Sequence, residues 1–152
     1  MIHKIREQFI YKTAKIGKQW GIGEPAGKVW GVLMFSEKPL TQKEMCKQSG
    51  YSIGLISRSI TVLENLGMVS DIGRRNKEKL YSASASATDF LGKLMINLLE
   101  NNIKPIISLL DTNKESVNDK KIKLRMNTLI KDYSKIKESL DNFSNFLVKE
   151  NN

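Results

Sequence analysis

Between positions 40 and 83 the spacing of apolar residues changes from a helical period to a strand period. Thr41 precedes a short, mostly polar segment, 42–48, with Glu44 three positions on, which is the pattern of a reciprocal capping box; Ser49 and Gly50 close that helix. Ser52 then caps a second helix, in which Ile56, Ile60, Leu63 and Leu66 recur at steps of four, three and three, and Gly67 ends it. Residues 68–72 read as a strand, and 80–83 can return antiparallel to them across the stretch 73–78. Upstream, Ile2, Ile5, Phe9, Ile16 and Trp20 fall at helical spacing over 2–20, with Thr13 filling the gap. Gly21-Ile22-Gly23 breaks that helix. Pro25 suits the first turn of a further helix through Val29, Trp30, Leu33 and Met34 to about Ser36, and Pro39 stops propagation.

Downstream of the hairpin, residues 82–87 alternate Ser and Ala as a small-residue connector. Thr88 or Asp89 is expected to cap a strongly apolar helix from Phe90 that carries Leu91, Leu94, Met95, Leu98 and Leu99. Pro105 is expected to kink or end it before 106–110, and 111–119 reads as a polar turn. The last helix is the most regular. Ile122, Met126, Leu129, Tyr133, Ile136, Leu140, Phe143 and Leu147 step alternately by four and three, a heptad seam. Such a stripe presents more apolar surface than a small domain covers, so it pairs with a second copy of the chain, packs on the chain's own first and fifth helices, or does both. With Ile5 and Phe9 of the first helix, these eight residues form the expected dimerisation set.

Helix, turn, helix and hairpin in that order make a winged helix-turn-helix. A second helix that buries Ile56, Ile60 and Leu63 turns Gly54, Arg58, Thr61 and Asn65 outward, with Ser57 on the flank, and this face holds no acid. Gly54 is costly in a helix by about 1 kcal/mol relative to Ala. Either a phosphodiester backbone or another helix comes close there. The hairpin carries Arg74, Arg75, Lys77 and Lys79 against Glu78, a compact positive projection. Beside a helix of this kind it can reach the minor groove or flanking phosphates. The expected DNA-contacting set is Thr41, Gln42, Ser52, Gly54, Ser57, Arg58, Thr61, Arg74, Arg75, Asn76, Lys77 and Lys79.

Charge sharpens this picture. The 152-residue chain holds 25 Lys and Arg against 16 Asp and Glu, a formal charge of +9. Residues 1–80 carry 14 basic and 7 acidic side chains and residues 81–152 carry 11 and 9, so the excess travels with the helix-turn-helix half. The implied partner is an anionic polymer; a membrane surface would call for a basic amphipathic helix instead. One cysteine, Cys46, excludes an intrachain disulfide and fits a cytoplasmic protein; it reads as a small buried hydrophobe or a redox-responsive thiol. Neither a signal peptide nor a membrane span is legible. A single His and a single Cys are too few for a structural zinc site, and no cofactor is expected.

Gly21 to Lys28 superficially suggests a phosphate loop, but three residues, not four, separate Gly23 from Gly27, and Val29 stands where a hydroxyl is needed. No nucleophile, base and orienting group converge in any motif, so an enzyme is not expected. Trp20, Trp30, Tyr11, Phe35 and Tyr51 cluster on or near the first three helices and read as helical core or as an enclosure for a quaternary ammonium.

The element order resembles that of the MarR-type transcriptional regulators over nearly the whole chain, most sharply in the stretch 52–69, SIGLISRSITVLENLGMV. The basic hairpin, Pro25-Ala26-Gly27 and Pro39-Leu40-Thr41 resemble the GbsR-like subgroup, some members of which sense choline or glycine betaine. The resemblance implies that Ser52, Ser57, Arg58 and Thr61 face the major groove and that Arg74, Arg75 and Lys77 reach the adjacent backbone or minor groove. The hairpin departs from the family pattern, since 73–78 reads GRRNKE where many members carry an Asp-rich loop.

The resulting expectation is a mainly α fold: an N-terminal dimerisation helix at 1–22, a winged helix-turn-helix at 23–83 and a C-terminal helical dimerisation region at 84–152. The expected function is that of a cytoplasmic homodimer that binds a pseudo-palindromic operator in double-stranded DNA and represses transcription under control of a small-molecule effector. The alternative is a protein-interaction module within a larger assembly.

Overall fold

In the computed structural model, which describes residues 1–83 and 87–150, the first two helices cross at a seam made of small residues. α1 (Ile2–Gln19) buries Ile10, Thr13, Ala14 and Gly17 against α2 (Glu24–Met34). A Cβ on Gly27 would stand 2.3 Å from the Thr13 carbonyl oxygen, and one on Gly31 would stand 2.1 Å from Thr13 Oγ1. The Thr13 hydroxyl donates to the Ile10 carbonyl at 2.9 Å, so its polar group is satisfied inside the seam. The buried face of α1 is thus not the apolar stripe counted from the sequence. Ile2 and Ile5 are exposed, Phe9 and Ile16 are half-buried, and the Phe9 ring meets Phe35 at 5.6 Å. Close backbone approach selected the small face in preference to the large one.

α2 starts after Gly23, whose φ of 96° suits glycine, with Pro25 in the first turn. Buried along nearly its whole length, it contacts α1, α3, α4 and the hairpin. α3 (Gln42–Ser49) opens on the expected capping box: Glu44 N–H donates to Thr41 Oγ1 at 3.2 Å and Thr41 N–H donates to Glu44 Oε2 at 2.8 Å. Gly50 ends it in the left-handed region. α4 (Ile53–Asn65) starts at Ser52, whose Oγ accepts from Leu55 N–H, and buries Ile56, Ser59, Ile60 and Leu63. Leu66 is only half-buried.

The hairpin is longer and its tip tighter than the sequence suggests. β1 (Val69–Arg75) pairs antiparallel with β2 (Glu78–Ala83), leaving a two-residue turn at Asn76 and Lys77 with φ of 49° and 65°. Two successive left-handed residues match the strands' twist. Arg74 and Arg75 therefore lie on a strand, opposite Lys79 and Glu78, and not in a six-residue loop. The register shifts between Asp71 and Gly73, which leaves Ile72 as a bulge. Leu40 and Tyr81 exchange two backbone hydrogen bonds of 2.9 Å, joining the hairpin to the lead-in of α3.

Contacts divide the chain into two units, 1–85 and 86–152. In the second, α5 (Ala87–Leu98) begins before Thr88 and Asp89, so both lie inside its first turn and neither precedes it as a cap; residues 84–86 of the connector fall outside the described set. α5 ends at Leu98, ahead of Pro105. A π turn at Leu99–Ile103 leads directly into α6 (Lys104–Asn113), and the proline sits in the first turn of α6, where the wider π spacing removes the need for its missing N–H. A 3-10 turn, Lys114–Ser116, shortens the expected polar loop. α7 (Lys120–Glu150) starts where Asp119 Oδ1 accepts the N–H groups of Lys121 and Ile122 at 2.8 and 3.1 Å.

The seam on α7 divides into two columns. Met126, Tyr133 and Leu140 are half-buried and Leu147 is buried on the side that packs against α5 and α6, with Leu147 beside Gly92. Ile122, Leu129, Ile136 and Phe143, one every seven residues, are exposed.

Candidate nucleic-acid interface

α4 carries the first half of the site. Its burial of Ile56, Ile60 and Leu63 leaves Ser52, Gly54, Ser57, Arg58, Thr61 and Asn65 exposed together, as the helical period requires. Among the described residues nothing lies within 4 Å of a Cβ built on Gly54, so this glycine serves no helix crossing among them. The Thr61 hydroxyl donates to the Ser57 carbonyl at 3.1 Å, whereas Arg58 has no hydrogen bond or ion pair with another described residue. Two apolar side chains, Ile53 and Val62, also stand exposed on this helix.

The hairpin carries the second half, and here acids hold most of the cations. Asp71 accepts from Gly73 N–H at 3.1 Å, pairs with Arg74 at 2.8 Å and lies 3.4 Å from Lys79. The Gly73 hydrogen bond, followed by Arg74 and Lys79, holds the Asp71 carboxyl below the ordinary carboxylate range. Arg75 pairs with Glu44 Oε1 at 2.6 Å, and Lys43 pairs with Glu78. The Thr41 backbone hydrogen bond, then Arg75, lowers the Glu44 carboxyl in the same way. Lys77, at the turn, has no such partner among the described residues.

The two halves meet at α3. Gln42 and Lys43 line a hollow of about 300 Å³ with Ile53, Glu78, Lys79 and Tyr81, between the starts of α3 and α4 and the strand β2. Thr41 is buried and occupied by its capping box, so it positions α3 and does not face outward. Sequence reasoning did not find Asp71 and Glu44 as the counterions of Arg74, Lys79 and Arg75, nor the pairing of Glu78 with Lys43. Glu44 was visible only as a capping residue, and its partner lies 31 positions away.

The aromatic residues do not stand open as a set. Lys28 lies 4.6 Å over the Tyr51 ring, Lys15 lies 4.8 Å over Tyr11, and Trp30 is core. Cys46 is half-buried, not buried. Among the described residues no group of three or more His, Cys, Asp and Glu can hold a metal ion, and no helix is long and apolar enough to cross a membrane.

Four helices followed by a two-stranded hairpin docked on the third define a winged helix-turn-helix fold, here continued by a long C-terminal helix. The chain is similar to a solved crystal structure of a transcriptional regulator, with a TM-score of 0.71 at 11% sequence identity, covering 95% of this chain and 98% of that one. At that identity the likeness is one of fold. No family model and no curated protein matches the sequence.

Proposed function

We propose that this protein is a sequence-specific reader of double-stranded DNA that regulates transcription as a homodimer, of the MarR type and similar to its GbsR-like subgroup. The observation that carries the reading is the face of α4. It is a row of small and hydrogen-bonding side chains with one arginine that has no partner among the described residues, flanked by a cationic hairpin in the same compact unit. Arg58 is assigned to a base edge, where a bidentate pair with guanine suits its fork. Gln42, Ser52, Ser57, Thr61 and Asn76 are assigned to the same surface, and Arg74, Arg75, Lys77 and Lys79 to phosphates or the minor groove.

The exposed column Ile122, Leu129, Ile136 and Phe143 on α7, with exposed Ile5 on α1, supports pairing through the terminal helices. Two reading helices held about 34 Å apart enter successive major grooves, so the operator is palindromic. A small molecule that favours a different spacing of the two heads would release DNA in proportion to its differential affinity, which makes the protein a ligand-relieved repressor of the cytoplasm.

Selection of bound fragments from random duplex DNA, followed by footprinting, tests partner, symmetry and half-site separation together. On the selected site Arg58→Ala is expected to lose about 1 to 3 kcal/mol and to relax base preference at one position. Equal losses on selected and random DNA would remove Arg58 from its assigned role. The exposed Ile53 and Val62 favour one second reading, a protein-docking face on α4. It predicts an interaction that ionic strength barely changes.

A further inference from the structure

We infer that Glu44 is an affinity-limiting residue of the wing: it withholds Arg75 from DNA and yields it only where a phosphate is held close. The inference rests on the DNA-binding reading above. One carboxylate does two jobs. Its Oε2 accepts the Thr41 N–H and closes the start of α3, while its Oε1 holds the Arg75 guanidinium at 2.6 Å. The hairpin does not depend on this pair for its seat, because the Leu40 and Tyr81 backbone bonds and the Lys43 and Glu78 ion pair also fix it to α3. Glu44 therefore governs the availability of a charge more than the position of a strand.

The side chains of Arg75 and Glu44 are 49% and 37% exposed, so an incoming phosphate can reach the arginine. It must compete there with a carboxylate that is anchored by the helix cap and stays in place, repelling the phosphate as it arrives. A phosphodiester met at random wins that competition poorly. A backbone already drawn in by Arg58 and its neighbours on α4 is held at short range, where the exchange of carboxylate for phosphate goes to completion. Lys77 has no counterion among the described residues to displace and serves every sequence alike. Arg75 thus contributes more on the selected site than elsewhere, and Glu44 limits what that charge adds to affinity on either.

The test uses the full-length protein with the selected duplex and a scrambled duplex of equal length, by fluorescence anisotropy over a range of salt concentrations. Glu44→Gln retains a side chain able to complete the cap but removes the charge. It is expected to tighten binding to scrambled DNA about threefold to tenfold and to the selected duplex at least as much, because the exchange there no longer gives up the Glu44 pair, and to steepen the log-log salt slope on scrambled DNA by about 0.9, the increment for one further phosphate. In an Arg75→Gln background the gain should vanish.

Unchanged scrambled-DNA affinity and slope in Glu44→Gln would overturn the inference. So would a gain that persists without Arg75, since that is plain relief of repulsion. If Glu44→Gln fails to fold, Arg75→Gln alone decides: a loss confined to the selected duplex supports the inference, and equal losses on both duplexes contradict it. Wild-type protein that binds neither duplex defeats the DNA reading itself, whereas wild-type binding with an inert Glu44→Gln defeats only the role given to Glu44.

Discussion

The two units differ in how far each covers its own apolar surface. The most completely buried large side chains, Met45, Ile56, Ile60, Leu63, Met68, Val29 and Val32, all lie in residues 1–85, where α2 is enclosed by α1, α3, α4 and the hairpin. In 86–152 the buried apolar residues among those described are Leu99, Ile103 and Leu147, while α7 exposes a column of four large ones. A core closed on all sides specifies a fold by itself. A helix with one face packed and an adjacent apolar face open leaves surface for a partner, which is why the pairing proposed above rests chiefly on the second unit and the proposed reading of DNA on the first.

The sharpest way to break this contrast is to charge the open column. Leu129→Glu combined with Ile136→Glu places two unpaired carboxylates, and their symmetry mates, in the proposed interface, at a cost of several kcal/mol each. Sedimentation is expected to show monomers that keep their helical circular dichroism. Dimers that survive the double substitution would move the interface elsewhere. The converse change belongs in the first unit. Leu63→Ala, at a site with no exposure, should lower the unfolding free energy by about 2 to 5 kcal/mol in denaturant titrations without altering oligomeric state.

Two glycines sharpen the picture further, because they predict opposite signs. Gly31→Ala drives a methyl group into Thr13 at the α1 and α2 crossing and should destabilise by about 1 to 3 kcal/mol. Gly54→Ala meets nothing among the described residues and should stabilise α4 by up to about 1 kcal/mol. If DNA approaches that helix closely, the same change weakens operator binding while it raises the melting temperature. Thermal melts and anisotropy on the same samples separate the two effects.

The smallest effect concerns the hairpin's acids. Asp71 and Glu44 have lowered folded-state pKa values, so the stability they confer is present above the ordinary carboxylate range and is lost as pH falls through their lowered values. The Gly73 amide resonance, which reports the hydrogen bond to Asp71, should titrate with a midpoint below that of an unperturbed aspartate. A midpoint at or above the unperturbed value would mean that Asp71 does not hold Arg74 and Lys79 in solution.

What was legible in the chain was local. The Thr41 and Glu44 box, the Ser52 cap, the stops at Gly50 and Gly67 and the Ile56, Ile60, Leu63 stripe all act within a few positions of themselves, and each lies where periodicity and capping rules put it. The outward face of α4 followed from the same arithmetic. Features that depend on a distant partner were not legible. The buried face of α1 was not legible because the packing of Thr13, Ala14 and Gly17 against Gly27 and Gly31 depends on backbone approach and leaves no hydrophobic signature. The cationic tip was overestimated because charge counting cannot see that Glu44 reaches Arg75 or that Asp71 gathers Arg74 and Lys79. The π turn ahead of Pro105 was not legible because it is a property of backbone geometry, not of composition.

The central claim is that the first unit reads double-stranded DNA through α4 and its wing. Titration of wild-type protein against its selected duplex over a range of salt concentrations tests this most directly. The account predicts a linear fall of log affinity with log salt whose slope corresponds to several neutralised phosphates, and tighter binding to the selected duplex than to a scrambled one at every salt concentration. Absence of binding in dilute buffer, or an affinity that does not respond to ionic strength, would contradict it.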